Sequence, residues 1–442
     1  MASRSAPDTV CELLGAALAP VLGEDAVIGD LRRLSGGASK ETWSFTAGGA
    51  PLILRRDPPG RPGPRGGMRN EVDVLVACHR AGLAVPEVVF FDETTALGTA
   101  GIVMRAVDGE AIPRRILRDD AFAGARSVLT GQVAEFLAGL HAIDPAEVPG
   151  LATTDDIANY RAAYDFVDDT SPTFDRAFTW LDTERPTAER QVIVHGDLRM
   201  GNVIVDDDGM AAVVDWELMH MGDPIEDLAW FCVKAWRFGS PLGAGGVGEI
   251  EAFLTAYEDA SGFPVDRAVF DWWLVAKTLT WGVIAMGQAH AHLSGAVRSH
   301  ELAAIGRRVA ETEWDLVELL APDQAAAARA GSATPDGGSG GVADPAGDVG
   351  IWGRPTAPEL LDAVADFLRD DVSAQGTGRL GYDARVAANM LDIVERQLAV
   401  TAAGDLPRYD QAGPEGLPSW ESIARVVNAK VSVANPKYLE TS

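Results

Sequence analysis

The chain has 442 residues, 47% of them hydrophobic and 23% charged, and a formal net charge of −28. That length exceeds what one ordinary core organises, so two or three domains are expected, and the composition is that of a water-soluble globular protein. So large an acidic excess argues against general nucleic-acid binding, which needs a basic face, and the three cysteines, Cys11, Cys78 and Cys232, lack metal-ligand spacing and read as buried thiols in a reduced, cytoplasmic setting.

The opening "MASRSAPDTVCELLGAALAPVLGE" reads as an amphipathic helix: Asp8 and Glu12 precede or interrupt its apolar stretch. Nowhere does the chain reach the roughly 18 uninterrupted apolar residues of a membrane-spanning helix. Residues 43–55, "WSFTAGGAPLILR", predict a hairpin turning at "AGGA", and "VPEVVFFD" and "GIVMRAV" within 85–107 predict further strands. Between them "NEVDVLVACHRAG" places Val72, Leu75, Val76 and His79 on one helical face, closed by Gly82. From about residue 120 helices dominate, ending with the Trp-rich "DWWLVAKTLTWGVIAMGQAHAHL" from 271, whose Trp272, Trp273 and Trp281 suit core packing. A β-rich lobe (1–107) followed by a helical lobe (108–321) predicts a cleft, the usual home of a ligand. Residues 322–354 are rich in Gly, Ala, Pro and Ser and read as a flexible linker. Beyond it, 355–442 form a small helical domain: Leu360, Leu361, Val364, Phe367 and Leu368 share one face, and Val386, Met390, Val394 and Leu398 another, at roughly 384–400. It holds no cluster of ligands or nucleophiles, so homo-oligomerisation or a partner protein is its expected role.

One interruption of the helical half carries the chemistry. In "VHGDLRMGNVIVDDDGMAAVVDWE", residues 194–217, alternating valines predict two strands joined by a turn at 206–209, so the groups before the first strand and after the second emerge at one end. Phosphoryl transfer requires a carboxylate to orient or deprotonate the accepting hydroxyl, oxygen ligands for Mg²⁺ and positive charge on the phosphates. Asp197 suits the base, Asn202 and Asp215 the metal, and Arg199 the transferred group. The turn acids Asp206, Asp207 and Asp208 read as solvated; His195 reads as a buried structural histidine. Asp223 and Asp227 in "GDPIEDLAW" read as capping the next helix and bracing the loop, and Glu217 as either an ion-pair partner or a contact to a second Mg²⁺.

Together "HGDLRMGN", "VVDWE" and "GDPIEDLAWF" resemble the aminoglycoside phosphotransferase and choline kinase-like branch of the protein-kinase fold, over roughly residues 25–320. The resemblance implies an α+β, bilobal kinase-like fold and transfer of the ATP γ-phosphate with Mg²⁺ to a small-molecule hydroxyl. It makes "LSGGASKETWSF" the counterpart of the glycine-rich flap, reduced to Ser35, Gly36, Gly37, Ala38 and Ser39. It places Arg55 or Arg56 where kinases have a strand lysine, Arg55 being preferred, with Glu71 as its ion-pair partner and Met104 among the nucleotide contacts. Within the branch the pattern is similar to the phosphotransferase domains related to acyl-CoA dehydrogenase family members 10 and 11, which implies a hydroxyacyl-CoA acceptor. The tail resembles an uncharacterised helical domain attached to such proteins.

Two alternatives stay open. Residues 195–235 hold nine acids against Arg199 and Lys234, a field that suits a cationic aminosugar, so an aminoglycoside- or macrolide-type antibiotic is a competing acceptor. A catalytically silent nucleotide-binding scaffold is the other. A hydrolase is disfavoured because neither GxSxG nor HExxH occurs. Protein kinase activity is disfavoured because the segment after Asp215 leaves no room for an activation loop.

Overall fold

A computed structural model describes residues 7–331 and 365–440, apart from 24–26, 35–39, 60–66, 94–95, 168–169, 188–189, 295, 298–301, 303–304, 307, 366, 374–377, 404–405 and 411–415. The chain divides into two compact units. Residues 1–154 with 187–273 form the first, and 155–186 with 274–442 the second.

The first unit begins with helix α1 (Pro7–Leu22) and a five-stranded antiparallel sheet, β1 (Ile28–Arg33), β2 (Glu41–Ala47), β3 (Ala50–Arg56), β4 (Val88–Asp92) and β5 (Gly101–Arg105), in the order β1-β2-β3-β5-β4. Alternation makes it amphipathic: Trp43, Phe45, Leu52, Leu54 and Val103 turn to one face and pack with Val10, Leu14 and Leu18 of α1. The β2–β3 turn works because Gly48 and Gly49 both take positive φ (56° and 81°), the geometry of a two-residue hairpin loop. Helix α2 (Gly67–Arg80) follows, but its face differs from expectation. Met68, Glu71, Val72, Leu75 and Cys78 are buried, whereas Val76 and His79 are exposed. Burying Glu71 needs a charged partner, and that partner sets the helix rotation.

Short α3 (Pro113–Arg118) and long α4 (Ala123–His141) continue the unit. After residue 187 come β6 (Val192–Val194), the predicted hairpin of β7 (Val203–Asp206) and β8 (Gly209–Val213), β9 (His220–Gly222) paired with β6, then α7 (Pro224–Cys232) and α8 (Ile250–Ser261), which packs on α4. The hairpin register sets Val203 opposite Val213. Asp207 and Asp208 in its turn are exposed, while Asp206 accepts from the amide of Asp208 at 2.9 Å.

The second unit contains α5 (Asp156–Val167), α6 (Pro172–Thr183) and helices Val309–Leu320, Pro322–Gly331, Arg379–Ala403 and Trp420–Ala434. The stretch read as a linker from 322 is helical for its first ten residues; 332–354 lie outside the described residues. So does most of the first tail helix, of which Phe367–Ser373 is a π-helical segment. The second tail helix is longer than predicted, and on it Val394 and Leu398 are each 40% exposed. The last long helix has an apolar face, Ile423, Val427 and Val431, which completes one core with Ala310, Trp314 and Val317. Among the described residues, no helix is long and apolar enough to cross a membrane.

Candidate active site

The His195-Gly196-Asp197 turn connects β6 to the hairpin, and its shape is dictated by a glycine. Gly196 has φ +78°, and a Cβ there would lie 2.4 Å from the carbonyl oxygen of Leu218. Only glycine fits both the dihedral and the approach. The turn is braced from beneath by Asp227 of α7, fully buried, which accepts from the amides of His195 (2.7 Å) and Gly196 (2.9 Å) and bonds His141 Nε2 at 3.3 Å. Burial alone would raise the Asp227 pKa, but the His141 hydrogen bond and charge, with His195, outweigh it and hold the carboxyl below its usual range. Asp223 caps α7 by accepting from Ile225 N at 2.9 Å. Both roles match the reading of these two aspartates as structural.

His195 is fully buried against Trp216, their rings 4.5 Å apart. Its Nδ1 faces the Asp197 amide (3.1 Å), a donor, and its Nε2 faces the Val214 carbonyl (3.2 Å), an acceptor. The ring is therefore a neutral Nε2–H tautomer, and burial pushes its pKa below the ordinary value despite Asp227 and Asp197. It ties the loop before β7 to the residue after β8.

Asp197 receives side-chain donors on both oxygens. Oδ1 accepts from Arg199 Nε (3.1 Å) and Trp230 Nε1 (2.9 Å); Oδ2 accepts from Asn202 Nδ2 (2.8 Å). The Asn202 NH₂ also donates to the Asp197 carbonyl at 2.8 Å. Arg199 lies 5.0 Å over the ring of Trp236, which packs on Trp230 at 5.3 Å. Trp230 and Trp236 escaped sequence reasoning. The signal available was the aromatic run after "GDPIED", whose i, i+3 spacing from Asp227 puts Trp230 on the same face of α7 as the brace.

Asp215 sits in the left-handed region, φ +70°, which costs a non-glycine residue about 1–3 kcal/mol and persists only where the surroundings enforce it. The Val214 amide donates to the Asn202 carbonyl at 2.9 Å, so the hairpin ends are locked together. Arg55 of β3 reaches this end of the hairpin: its Nη2 donates to Asp215 Oδ1 at 2.6 Å and lies 3.5 Å from Glu217, while Nη1 pairs with Glu71 of α2. Burial opposes its charge, but Glu71, Asp215 and Glu217 prevail and raise its pKa above the ordinary arginine value. Alternation along β3 sends Arg56 to the other face, onto Glu41 and the Leu97 carbonyl, which separates the two arginines the sequence left open. Glu217 is half of an ion pair. Met104 is buried in β5, opposite Ile53. Ser35, Gly36, Gly37, Ala38 and Ser39 lie outside the described residues.

The donor set fits Mg²⁺. Asn202 has its NH₂ committed to Asp197 and its carbonyl oxygen to offer, and the Asp215 side chain is 36% exposed. Two oxygen donors suit a small hard cation that keeps its waters and takes phosphate oxygens. Among the described residues, no group of three His, Cys, Asp or Glu could hold a metal by itself.

The profile of the phosphotransferase enzyme family matches residues 30–273, more than half the chain. Acyl-CoA dehydrogenase family member 11 of Gallus gallus is 26% identical over 66% of this chain and 40% of its own length. Acyl-CoA dehydrogenase family member 10 of Mus musculus is 24% identical over 65% and 29% respectively. The chain thus spans well under half the length of these curated relatives. Among solved structures, a candidate aminoglycoside phosphotransferase of Ralstonia eutropha is similar at TM-score 0.57 and 22% identity, over 69% of this chain and 97% of its own. A spectinomycin phosphotransferase, solved with ADP and spectinomycin, is similar at TM-score 0.51 and 13% identity, over 72% and 100%. At such identities these two likenesses speak for the fold, which is kinase-like: a small antiparallel sheet with a mostly helical remainder.

Proposed function

The chain belongs to the phosphotransferase enzyme family, and from that premise we propose that it moves the ATP γ-phosphate to the hydroxyl of a small molecule, in a Mg²⁺-dependent reaction. The observation that carries the reading is the arrangement of Asp197. Arg199, Trp230 and Asn202 fix its carboxylate in place, as a group that must orient a hydroxyl requires. In the reaction the acceptor oxygen bonds to the γ-phosphorus, the bond to the β-phosphate oxygen breaks with ADP as leaving group, and the hydroxyl proton passes to Asp197. Arg199 and Arg55 supply positive charge for the phosphoryl oxygens. Glu71 keeps Arg55 aimed. Asn202 and Asp215 would hold Mg²⁺, which would supply positive charge against the phosphates.

The acceptor favoured here is a hydroxyacyl-CoA, supported by the likeness to acyl-CoA dehydrogenase family members over two thirds of the chain. A cationic aminosugar antibiotic is the second reading, favoured by the nine acids in residues 195–235. Both are tested in one assay: Mg²⁺ and γ-labelled ATP with a pool of hydroxyacyl-CoAs, or with aminoglycosides and macrolides, and Asp197→Asn as control. Label should pass to the first pool, and the variant should lose at least about a thousandfold in rate while binding ATP normally. Turnover that survives in Asp197→Asn would remove Asp197 as base; label in the second pool alone would replace the acceptor class.

A further inference from the structure

The loop that carries Asp197 is acidic in sequence, yet the fold lays arginines beside it. Helix α3 holds Arg114, Arg115 and Arg118, all exposed. It starts at the catalytic loop: a Cβ built at Gly201 would lie 3.8 Å from Pro113 Cγ and 2.4 Å from Arg199 Nη1. It ends at the turn after α7, where Arg118 Nη2 donates to the Phe238 carbonyl at 3.4 Å, and a Cβ at Gly246 would touch both Leu117 and the Arg237 carbonyl. Arg237 donates to the Cys232 carbonyl at 2.7 Å, and Arg126 to the carbonyls of Ile116 and Asp119 at 2.7 and 2.8 Å.

The chemistry of these tethers matters. A guanidinium held by a backbone carbonyl is oriented without being neutralised. Arg115 is paired with Glu110 at 3.0 Å, but Arg114, Arg118, Arg126 and Arg237 have no carboxylate ion-pair partner among the described residues. Asp119 and Asp120 follow α3 and are exposed, so solvent screens them. In a chain with 65 acids against 37 Lys and Arg, four guanidinium groups with no carboxylate partner, on and around a helix that starts at the catalytic loop, offer their charge to an incoming anion. Their planar fork of donors matches phosphate.

Resting on the phosphotransferase reading, we propose that Arg114, Arg118, Arg126 and Arg237 form an anchoring site for a phosphate-bearing part of the acceptor, remote from its reacting hydroxyl. The acceptor is then a polyanion, not a polyamine. Remote binding of this kind holds the hydroxyl at Asp197 and excludes uncharged alcohols from efficient turnover.

The test is calorimetric titration of CoA, and in parallel of kanamycin, into the full chain with and without saturating AMP-PNP and Mg²⁺. CoA should bind with the nucleotide site filled, and raised salt should weaken it. Arg114→Gln combined with Arg118→Gln should weaken it at least about tenfold, with Arg118→Lys alone closer to wild type; both positions are exposed, and an unchanged melting temperature certifies the fold. CoA that fails to bind, binds the double variant as tightly, or is outdone by kanamycin overturns the anchor. Failure of AMP-PNP to bind is a separate result that strikes the phosphotransferase reading and leaves the CoA isotherms interpretable.

Discussion

His195 and Asp227 make the loop's stability a function of acidity. The folded His195 ring takes up a proton less readily than the unfolded one, so below about pH 6.5 the unfolded chain binds more protons and the fold loses stability. Asp227 acts lower: its folded pKa is depressed, so its contribution is present above about pH 3.8 and is lost as pH falls through the folded value. Melting temperature should therefore fall from pH 7 towards 5 and again below 4, and His195→Gln should flatten the first limb. A profile unchanged in that variant would show that the ring is not the group responsible. At this scale the sequence was most informative where spacing constrained chemistry: Asp197, Asn202 and Asp215 were legible from one hairpin. The choice between Arg55 and Arg56 was not, because adjacent strand residues are indistinguishable until a sheet face is assigned, and the partner that assigns it is Glu71 on another element.

Secondary-structure elements act here as levers for these side chains. The β7–β8 hairpin aligns the residues flanking its two strands, and the Gly196 turn aims the first of them. Gly196→Ala should cost at least about 2 kcal/mol through strain and contact with Leu218, seen in denaturant unfolding, and should abolish transfer because Asp197 moves with the turn. Full activity would mean that the loop tolerates another path. The hairpins at 47–50 and 206–209 were readable because glycine and aspartate mark turns between apolar alternations. The rotation of α2 was misread at Val76 and His79, since hydrophobicity counts a buried glutamate as outward-facing. The linker prediction overlooked that "PDQAAAARAG" is alanine-rich enough to propagate a helix.

For the whole molecule, the second unit ties chain segments far apart in sequence. Glu313, almost fully buried, accepts from Lys430 at 3.1 Å and Ser171 at 2.6 Å, and Asn435 donates to Glu311 at 3.0 Å. Ile423→Ala in the last long helix should therefore destabilise the protein by about 2 to 4 kcal/mol, measured as a fall in the unfolding midpoint of this unit. A loss below about 1 kcal/mol would mean that the tail is a separate module. The helical character of the tail was legible, but the face named by Val386, Met390, Val394 and Leu398 is half exposed, and the helix Trp420–Ala434 that docks onto Val309–Leu320 was not singled out, because periodicity names an apolar face without naming what covers it.

By itself the sequence determined the candidate constellation: a His-Gly-Asp, an asparagine five residues on and an aspartate behind a short hairpin are local, so secondary structure alone brings them together. It also determined the strands, most helices and the kinase-like class. Only the tertiary structure decided which arginine meets Asp215, that Trp230 and Trp236 pack about Asp197 and Arg199, and that an acidic stretch of chain lies beside arginines of another helix. Those facts depend on contacts between residues as many as 160 positions apart. Such contacts are fixed by sheet faces and buried charge, and no local pattern of residues records them.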